Sequence, residues 1–209
     1  MLNELLKRYP CLESTREDIL KAEKALITAF KNGNKLLICG NGGSCADAGH
    51  MVGELMKGFL SKRPLSEEQK AKMKANCPEI EEKYLSLLQR AMPAIALPSF
   101  TALNTAFCND VEPELVFAQC LMGLGKKDDI LLCISTSGNS KNVVAAALTA
   151  KALGLKTIGL TGKTGGKLKS ICDICICVPE TETFKVQELH LPVYHYLCAR
   201  VEEEIFIGG

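Results

Sequence analysis

Three times along the chain, a short apolar segment is followed by a loop rich in glycine, serine or threonine, and then by a helical segment. These loops are residues 40–44, 135–140 and 161–166. Two further apolar segments, 94–97 and 174–178, bring the predicted strands to five. The alternation predicts an α/β fold with a doubly wound, flavodoxin-like and mostly parallel five-stranded sheet. In such sheets ligands bind at the carboxyl ends of the strands, where these loops lie.

Two segments stand outside this pattern. Residues 1–31 carry apolar positions at helical spacing and are predicted to form N-terminal helices. Residues 60–91 are charged and are predicted to form a helical insertion, for which a surface excursion or an oligomer contact is favoured over a substrate lid. Because 209 residues suffice for one substantial core and would be crowded for two, we expect a single domain over residues 1–209.

The overall charge of the chain gives no reason to expect a polyanionic partner. Twenty-five Lys and Arg residues nearly cancel 24 Asp and Glu residues. We therefore expect no nucleic-acid partner and no membrane partner. Any phosphate group must be bound by local geometry rather than by the overall charge.

The chain has 11 cysteines, with no charged-then-apolar leader before them and no apolar run near the roughly 20 residues that span a bilayer. We expect a cytoplasmic protein with reduced thiols. Cys172, Cys175 and Cys177 form one cluster that is open to two interpretations, a metal site or thiols of a short buried strand. The strand is favoured, because no matching second pair of cysteines accompanies the cluster.

The segment Ser135-Thr-Ser-Gly-Asn-Ser140, called the serine loop below, is the strongest local signal. It places hydroxyl groups at the start of a helix, where backbone N–H groups are unpaired and the helix dipole is positive. A phosphate monoester fits this environment without a lysine. The alternative interpretation is that the loop only provides the N-cap of the helix, but a single hydroxyl would be enough for that role. The predicted phosphate-binding residues are Ser135, Thr136, Ser137 and Ser140.

The segment Gly40-Asn-Gly-Gly-Ser44, called the glycine loop below, resembles half of a dinucleotide fingerprint. Cys45 stands where the last glycine of GxGxxG is required, and the serine loop lacks the Gly-Lys-Ser/Thr of a P-loop. We therefore expect no nucleotide cofactor. The glycines are predicted to let the backbone approach a sugar, and Ser44 to cap the next helix. The candidate substrate contacts of this loop are Asn41, Gly42, Gly43 and Ser44.

His50 and Glu54 are spaced i, i+4 and therefore share one face of a predicted helix. The other two histidines, His190 and His195, lie in the closing helix near Gln187. A carboxylate and an imidazole suit aldose–ketose isomerisation, in which a base removes the proton beside the carbonyl and a partner moves the proton between the two oxygens of an enediol. Glu54 and His195 are the candidates for these roles.

The same groups are also candidates for binding a divalent metal ion, with His50, Glu54, Gln187 and His195 as ligands. Gln187 and His195 are eight residues apart. On one continuous helix this spacing corresponds to about 12 Å of rise. The hypothesis that follows is a site that combines Gln187 of one chain with His195 of another.

Five motifs in this order resemble those of the SIS-domain family, and within it the phosphoheptose isomerases. They are Cys39-Gly-Asn-Gly-Gly-Ser44, His50-x-x-x-Glu54, Asn109-Asp110, the serine loop, and Gln187-Glu-x-His190-x-x-x-x-His195. The resemblance covers nearly the whole chain apart from residues 60–91. It implies a homotetramer with shared active sites that converts sedoheptulose 7-phosphate to a heptose 7-phosphate.

The resemblance also implies roles for individual residues. The glycine loop, Asn109, Asp110 and Gln187 would contact the substrate, and the serine loop would hold its phosphate. Glu54 and His195 would be the acid–base pair. The zinc ligands that the resemblance implies are His50, Glu54, Gln187 and His195.

The chain departs from the family pattern around the expected sugar position. The arginine that usually follows the glutamate by four residues is replaced by Gly58, with Lys57 beside it. Phe184 and Lys185 occupy the positions of an Asp or Ala and an Arg, although Thr183 is retained. These changes weaken the assignment of a heptose as the substrate more than they weaken the assignment of an isomerase activity.

Two alternatives from another class remain open. Some relatives of the phosphoheptose isomerases have lost catalysis and act as tetrameric binding or regulatory proteins, but those relatives lack the glutamate and the final histidine that are present here as Glu54 and His195. A phosphosugar sensor without turnover is the other alternative, although no DNA-binding segment accompanies the domain.

Overall fold

The computed structural model describes residues 1–207 and contains five parallel strands in the order β2-β1-β3-β4-β5. The order and the parallel pairing confirm the predicted flavodoxin-like sheet. The strands are β1 (Leu36–Cys39), β2 (Ala94–Ala96), β3 (Ile130–Ser135), β4 (Lys156–Thr161) and β5 (Ile174–Cys177).

Ten α-helices are described, and most of them connect the strands. They are α1 (Leu2–Arg8), α2 (Arg16–Lys31), α3 (Gly43–Met56), α4 (Glu67–Asn76), α5 (Glu82–Leu87), α6 (Thr101–Asp110), α7 (Val116–Leu124), α8 (Lys141–Ala152), α9 (Leu168–Ile171) and α10 (Thr183–Phe206). Over the described residues, no helix combines the length and the apolar character needed to cross a bilayer. The single-domain boundary stays a prediction, and its last two residues, 208 and 209, lie outside the described residues.

Alternate residues of the strands face two hydrophobic layers. Leu36 and Ile38 of β1 point to a layer that includes α2, α3 and α10. Leu37 and Cys39 point to the opposite layer, which includes α7 and α8. Both faces of the sheet are therefore covered, as is usual for parallel sheets, and the strands read as continuous apolar runs for that reason.

The helical insertion predicted for residues 60–91 contains α4 and α5. Ser66 and Gln69 form a capping box at the start of α4, which has no buried residue. Leu85 of α5 is buried. An isolated antiparallel bridge between Pro64 and Gln89 joins the two ends of the insertion to each other. A charged, solvated α4 agrees with the prediction for this segment.

The cysteine cluster belongs to β5 and its entry. Cys175 and Cys177 are half-buried, and their Sγ atoms lie 3.7 Å apart. Gly159 of β4 is paired with Cys175. A Cβ at Gly159 would lie 2.9 Å from the Sγ of Cys175, so the missing side chain makes room for the thiol. The thiol of Cys175 therefore packs against β4 at Gly159.

Candidate active site

The glycine loop and the serine loop meet where the strand order reverses. They follow β1 and β3, which are neighbours in the sheet, and the helices after them, α3 and α8, cover opposite faces. Asn41 of the glycine loop exchanges two amide hydrogen bonds with Asn142 in the first turn of α8, each of 2.9 Å. Sequence reasoning missed Asn142, although an asparagine two residues after the serine loop was a visible signal.

Hydroxyl groups of the serine loop bond to one another and do not cap α8. Ser140 is at the N-cap position but forms no side-chain cap hydrogen bond. Its Oγ lies 3.0 Å from the Oγ of the buried Ser135. The Oγ of Ser137 accepts the backbone N–H of Asn139. Hydroxyls held at the amino end of α8 form an environment suited to a phosphate dianion.

Gly138 closes the serine loop against the loop after β4. Its φ is +66°, and a Cβ would lie 2.0 Å from the carbonyl oxygen of Gly165. Gly138→Ala should lower the free energy of unfolding by roughly 2–5 kcal/mol, the sum of a left-handed backbone and an overpacked contact. The matched control is Gly33→Ala, at φ +78° with no atom within 4 Å of the Cβ.

The control should lose only about 1–2 kcal/mol, the cost of the backbone conformation alone. Denaturant titration of both variants gives the two free energies. Equal losses would contradict the close approach of Gly138 to Gly165.

Gln187 lies over the start of α3. A Cβ at Gly43 would be 2.3 Å from the Nε2 of Gln187, so only a glycine leaves room for this amide. Ser44 does not cap the helix as predicted. The N-cap is Gly42, and Ser44 is buried inside the first turn. The prediction was wrong because α3 begins at Gly43, two residues before the start that a Ser44 cap requires.

Further along α3, its packing against α10 brings together a group called the His/Glu cluster, made of Asp47, His50, Glu54, Tyr194 and His195. The Nε2 of His50 lies 3.3 Å from the Oε1 of Glu54. The ring centroids of His50 and His195 are 4.9 Å apart and the planes are nearly perpendicular. The sequence-predicted acid–base candidates, Glu54 and His195, are therefore on facing helices with His50 between them.

Tyr194 joins the other side of His50 to Asp47. Its hydroxyl donates to the Oδ1 of Asp47 at 3.2 Å and lies 3.0 Å from the Nδ1 of His50. Burial raises the pKa of the Asp47 carboxyl. Sequence reasoning missed Asp47 and Tyr194. Their signals were an acidic residue one helical turn before His50 and a tyrosine next to His195.

Burial and charge favour a neutral His195. Burial lowers the pKa of its imidazole most, and the nearby His50 lowers it further, while the Glu54 carboxylate opposes both. The Nε2 of His195 is buried without a hydrogen-bond partner among the described residues. A neutral imidazole with an unused nitrogen is suited to exchange protons with a ligand.

Lys57 supplies a positive charge beside Glu54. The Glu54 side chain is 15% exposed, and its Oε2 lies 3.3 Å from the Nζ of Lys57. The family arginine expected at position 58 is absent, and Gly58 has no room for a side chain because a Cβ would be 2.2 Å from the carbonyl oxygen of Ser61. Lys57 therefore provides a positive charge in contact with the Glu54 carboxylate.

The four predicted metal ligands do not form one site within a single chain. Gln187 lies at Gly43, whereas His195 lies at His50, further along both helices. Both nitrogens of His50 already face polar partners, Tyr194 and Glu54. Among residues 1–207, no group of three or more His, Cys, Asp or Glu side chains is placed to hold a metal ion.

Asn109 and Asp110 lie at the end of α6, which follows the edge strand β2. Both are exposed, and the Nδ2 of Asn109 donates to the Oδ1 of Asp110 at 2.8 Å. Within the part of the chain that the structure describes, neither side chain forms a hydrogen bond to the glycine loop or the serine loop. The sequence grouped this pair with the loops, and among the described residues no hydrogen bond of these side chains links them within one chain.

His190 lies apart from the His/Glu cluster. It is fully buried, and within residues 1–207 neither ring nitrogen has a hydrogen-bond partner. Burial lowers its pKa to about 4, and the backbone of Thr161 offsets part of this effect. His190 therefore remains neutral in the folded chain at neutral pH.

The folded chain should lose stability as the pH falls from 6.5 towards 4. Between these values the unfolded chain protonates His190 and the folded chain does not, which lowers the free energy of unfolding by about 3 kcal/mol. Denaturant titrations at pH 7 and pH 4 compare the parent with His190→Leu. The variant should lack this part of the pH dependence, and parallel curves for the two proteins would contradict a buried neutral His190.

Comparison with known proteins identifies the family. The SIS domain family matches residues 2–86 and 84–162. A phosphoheptose isomerase of a Nitratiruptor species is 40% identical over 204 residues, which are 96% of this chain and 95% of that protein. The Helicobacter pylori phosphoheptose isomerase is 40% identical over 199 residues, covering 95% of this chain and 89% of that protein.

Solved structures agree with these relatives. A phosphoheptose isomerase from Neisseria gonorrhoeae superposes with a TM-score of 0.75 at 29% identity, over 97% of this chain and 95% of that one. A phosphoheptose isomerase from Francisella tularensis superposes with a TM-score of 0.71 at 29% identity, over 97% of this chain and 98% of that one. The resemblance seen in the sequence is confirmed, and the chain belongs to the SIS domain family, among the phosphoheptose isomerases.

Proposed function

We propose that the protein is an aldose–ketose isomerase that converts sedoheptulose 7-phosphate to a heptose 7-phosphate. Family membership supports the reaction class. The single observation that carries the mechanism is the meeting of Glu54 and His195 on α3 and α10, with a mostly buried carboxylate and a neutral imidazole. Non-catalytic relatives lack these two residues, and this chain retains both.

Glu54 is the proposed base. Its carboxylate takes a proton from C1 of the ketose, beside the C2 carbonyl, and an enediolate forms. Glu54 then returns the proton to C2, which gives the aldose. The reaction also requires a proton to move from the oxygen on C1 to the oxygen on C2. His195 is the proposed carrier, because a neutral imidazole can both accept and donate a proton.

The serine loop is the proposed phosphate site, with Ser135, Thr136, Ser137 and Ser140 as its hydroxyl donors. The reciprocal amide pair of Asn41 and Asn142 supports this role, because it fixes the glycine loop against the first turn of α8. Asn41, Gly42, Gly43 and Ser44 then lie next to the sugar. The chain's near-neutral charge is compatible with this site, since local dipoles and hydroxyls bind the anion.

An oligomer with shared active sites, expected to be a tetramer, is part of the proposal. α3 begins at Gly43 in the glycine loop, which Asn41 links to the first turn of α8, and reaches Glu54 eleven residues later, a rise of about 16 Å. Contributions from neighbouring subunits would bring the exposed Asn109, Asp110 and a second Gln187 to one substrate. Light scattering during turnover tests this point, and an active monomer would contradict it.

Zinc and location are finer parts of the proposal. Zinc bound by His50, Glu54, Gln187 and His195 would require these ligands to come from more than one chain, because one chain does not assemble them. Metal analysis after dialysis against a chelator, followed by an activity assay, tests this requirement.

A cytoplasmic location is supported by the eleven free cysteines, which are expected in a reducing compartment.

The decisive experiment incubates purified protein with sedoheptulose 7-phosphate and follows the aldose by NMR, with other ketose phosphates in parallel. Formation of a heptose 7-phosphate supports the proposal. Turnover of a different sugar would overturn the heptose assignment only, and Gly58, Phe184 and Lys185 are the positions that differ from the family around the expected sugar. Tight binding of sugar phosphates without turnover of any would establish the alternative, a binding or regulatory protein.

A further inference from the structure

Arg63 is a fully buried arginine in the loop that follows α3. Its side chain is 0% exposed, and its backbone has a φ of +44°, in the left-handed region that non-glycine residues rarely adopt. An arginine is seldom buried without a full set of partners. The segment therefore accepts backbone strain in order to place this guanidinium where it is.

The guanidinium binds the carboxyl end of α3. Its two terminal nitrogens donate to the carbonyl oxygens of Leu55, at 2.7 Å, and Glu54, at 3.0 Å. The last four carbonyls of a helix have no partner within the helix, and the negative end of the dipole attracts a cation. Arg63 thus supplies hydrogen bonds and charge to the turn that carries Glu54.

Glu202 of α10 holds Arg63 in place. Its carboxylate is 1% exposed and accepts the Nε of Arg63 at 2.5 Å. It also accepts backbone N–H groups of Phe59, Leu60 and Ser61. Burial alone would raise the pKa of Glu202, but the amide bonds and Arg63 lower it overall, so the carboxylate stays ionised. The ion pair ties the loop after α3 to α10.

The insertion returns to the same place. The backbone N–H of Arg90 donates to the carbonyl oxygen of Arg63 at 2.8 Å. The guanidinium groups of Arg63 and Arg90 lie over the ring of Phe206, 4.9 and 4.8 Å from its centroid. Both ends of the insertion therefore meet at the Arg63–Glu202 pair, and Arg63 in turn contacts the backbone carbonyl of Glu54.

We propose that Arg63, fixed by Glu202, is a positioning residue for Glu54 and acts through the backbone carbonyls of the last turn of α3. This inference rests on the proposed function, in which Glu54 is the base. Arg63 touches no substrate. Its loss would let the last turn fray, and a displacement of about 1 Å at a catalytic group can lower a rate about 100-fold. Binding of the ground-state substrate would change little.

The test compares Arg63→Lys with the parent. Lysine retains the charge but lacks the planar fork that binds two carbonyls and Glu202 together. We expect kcat for sedoheptulose 7-phosphate to fall about 10- to 100-fold with KM within about 3-fold, because ground-state contacts remain. Hydrogen–deuterium exchange should become faster in the last turn of α3. Glu202→Gln, which weakens the same pair from α10, should show the same two effects.

The matched control is Lys35→Met, which breaks the partly buried ion pair of Lys35 with Asp129 at the start of β1 and β3. It should lower the unfolding temperature, yet its kcat and its exchange in α3 should match the parent at an assay temperature below unfolding. Parent-like kcat and exchange in Arg63→Lys would overturn the proposal. An equal fall of kcat in the control would also overturn it, because stability alone would then explain the loss.

Failure of the proposed function is distinguishable from failure of this inference. If the parent isomerises no ketose phosphate, the proposed function fails, and the exchange experiment still reads the role of Arg63. Faster exchange confined to the last turn of α3 in Arg63→Lys would then support the positioning of Glu54. Unchanged exchange would overturn it.

Discussion

Glu54→Gln should lower kcat for the isomerisation by about 10²- to 10⁴-fold, the range expected when a general base is removed. The amide retains the size of the carboxylate and its contact with His50, but it has no basic oxygen to take the C1 proton. The Glu54 side chain is 15% exposed, so the substitution alters a mostly buried group rather than a solvated one. Steady-state kinetics with sedoheptulose 7-phosphate measures the effect.

Glu17→Gln is the matched control, because Glu17 is an exposed glutamate in α2 outside the His/Glu cluster. It should leave kcat unchanged. Unfolding temperatures of both variants should stay close to that of the parent. A Glu54→Gln protein with parental kcat would show that another group removes the proton, and the assignment of the base would be wrong.

His195→Gln should lower kcat by a similar factor of about 10²–10⁴, for a different reason. The variant retains Glu54, so proton removal from C1 can continue while transfer between the two oxygens is impaired. In D₂O, exchange of the C1 proton of the ketose should therefore persist more than aldose formation does. Glu54→Gln should lose both processes, and NMR of the substrate in D₂O distinguishes the two variants.

Tyr196→Phe is the control on the same helix. Its hydroxyl donates to Glu23 of α2, and it faces away from the His/Glu cluster. Loss of this hydrogen bond should lower stability slightly and leave the ratio of exchange to isomerisation unchanged. If His195→Gln shows the same ratio as the parent, His195 does not carry the proton between the oxygens.

The strand–loop–helix repeats predicted the sheet almost completely. Residues 94–97 and 174–178 were expected as strands, and β2 and β5 are Ala94–Ala96 and Ile174–Cys177. These boundaries were predictable because a parallel strand is buried on both faces and its apolar run ends abruptly at a polar loop. Ser44 was misplaced because the N-cap is Gly42, two residues earlier, and sequence patterns locate a helix start only to within one or two residues.

Local sequence also placed His50 and Glu54 together, because a spacing of four residues on a helix brings side chains to one face. It also placed the hydroxyls of Ser135 to Ser140 at a helix start, because these residues lie between an apolar strand segment and a helical segment. These relations depend only on backbone geometry over a few residues. The sequence by itself therefore determined the fold class, the positions of the glycine loop and the serine loop, and the motifs of the family.

Only the tertiary structure decided which distant residues meet. The packing of α3 against α10 places Gln187 at Gly43 and His195 at His50, and no local spacing identifies these partners. The same packing buries Arg63 with Glu202, a pair 139 residues apart. Contacts over such separations follow from how whole faces of helices bury their apolar side chains, and no local pattern of residues encodes that outcome.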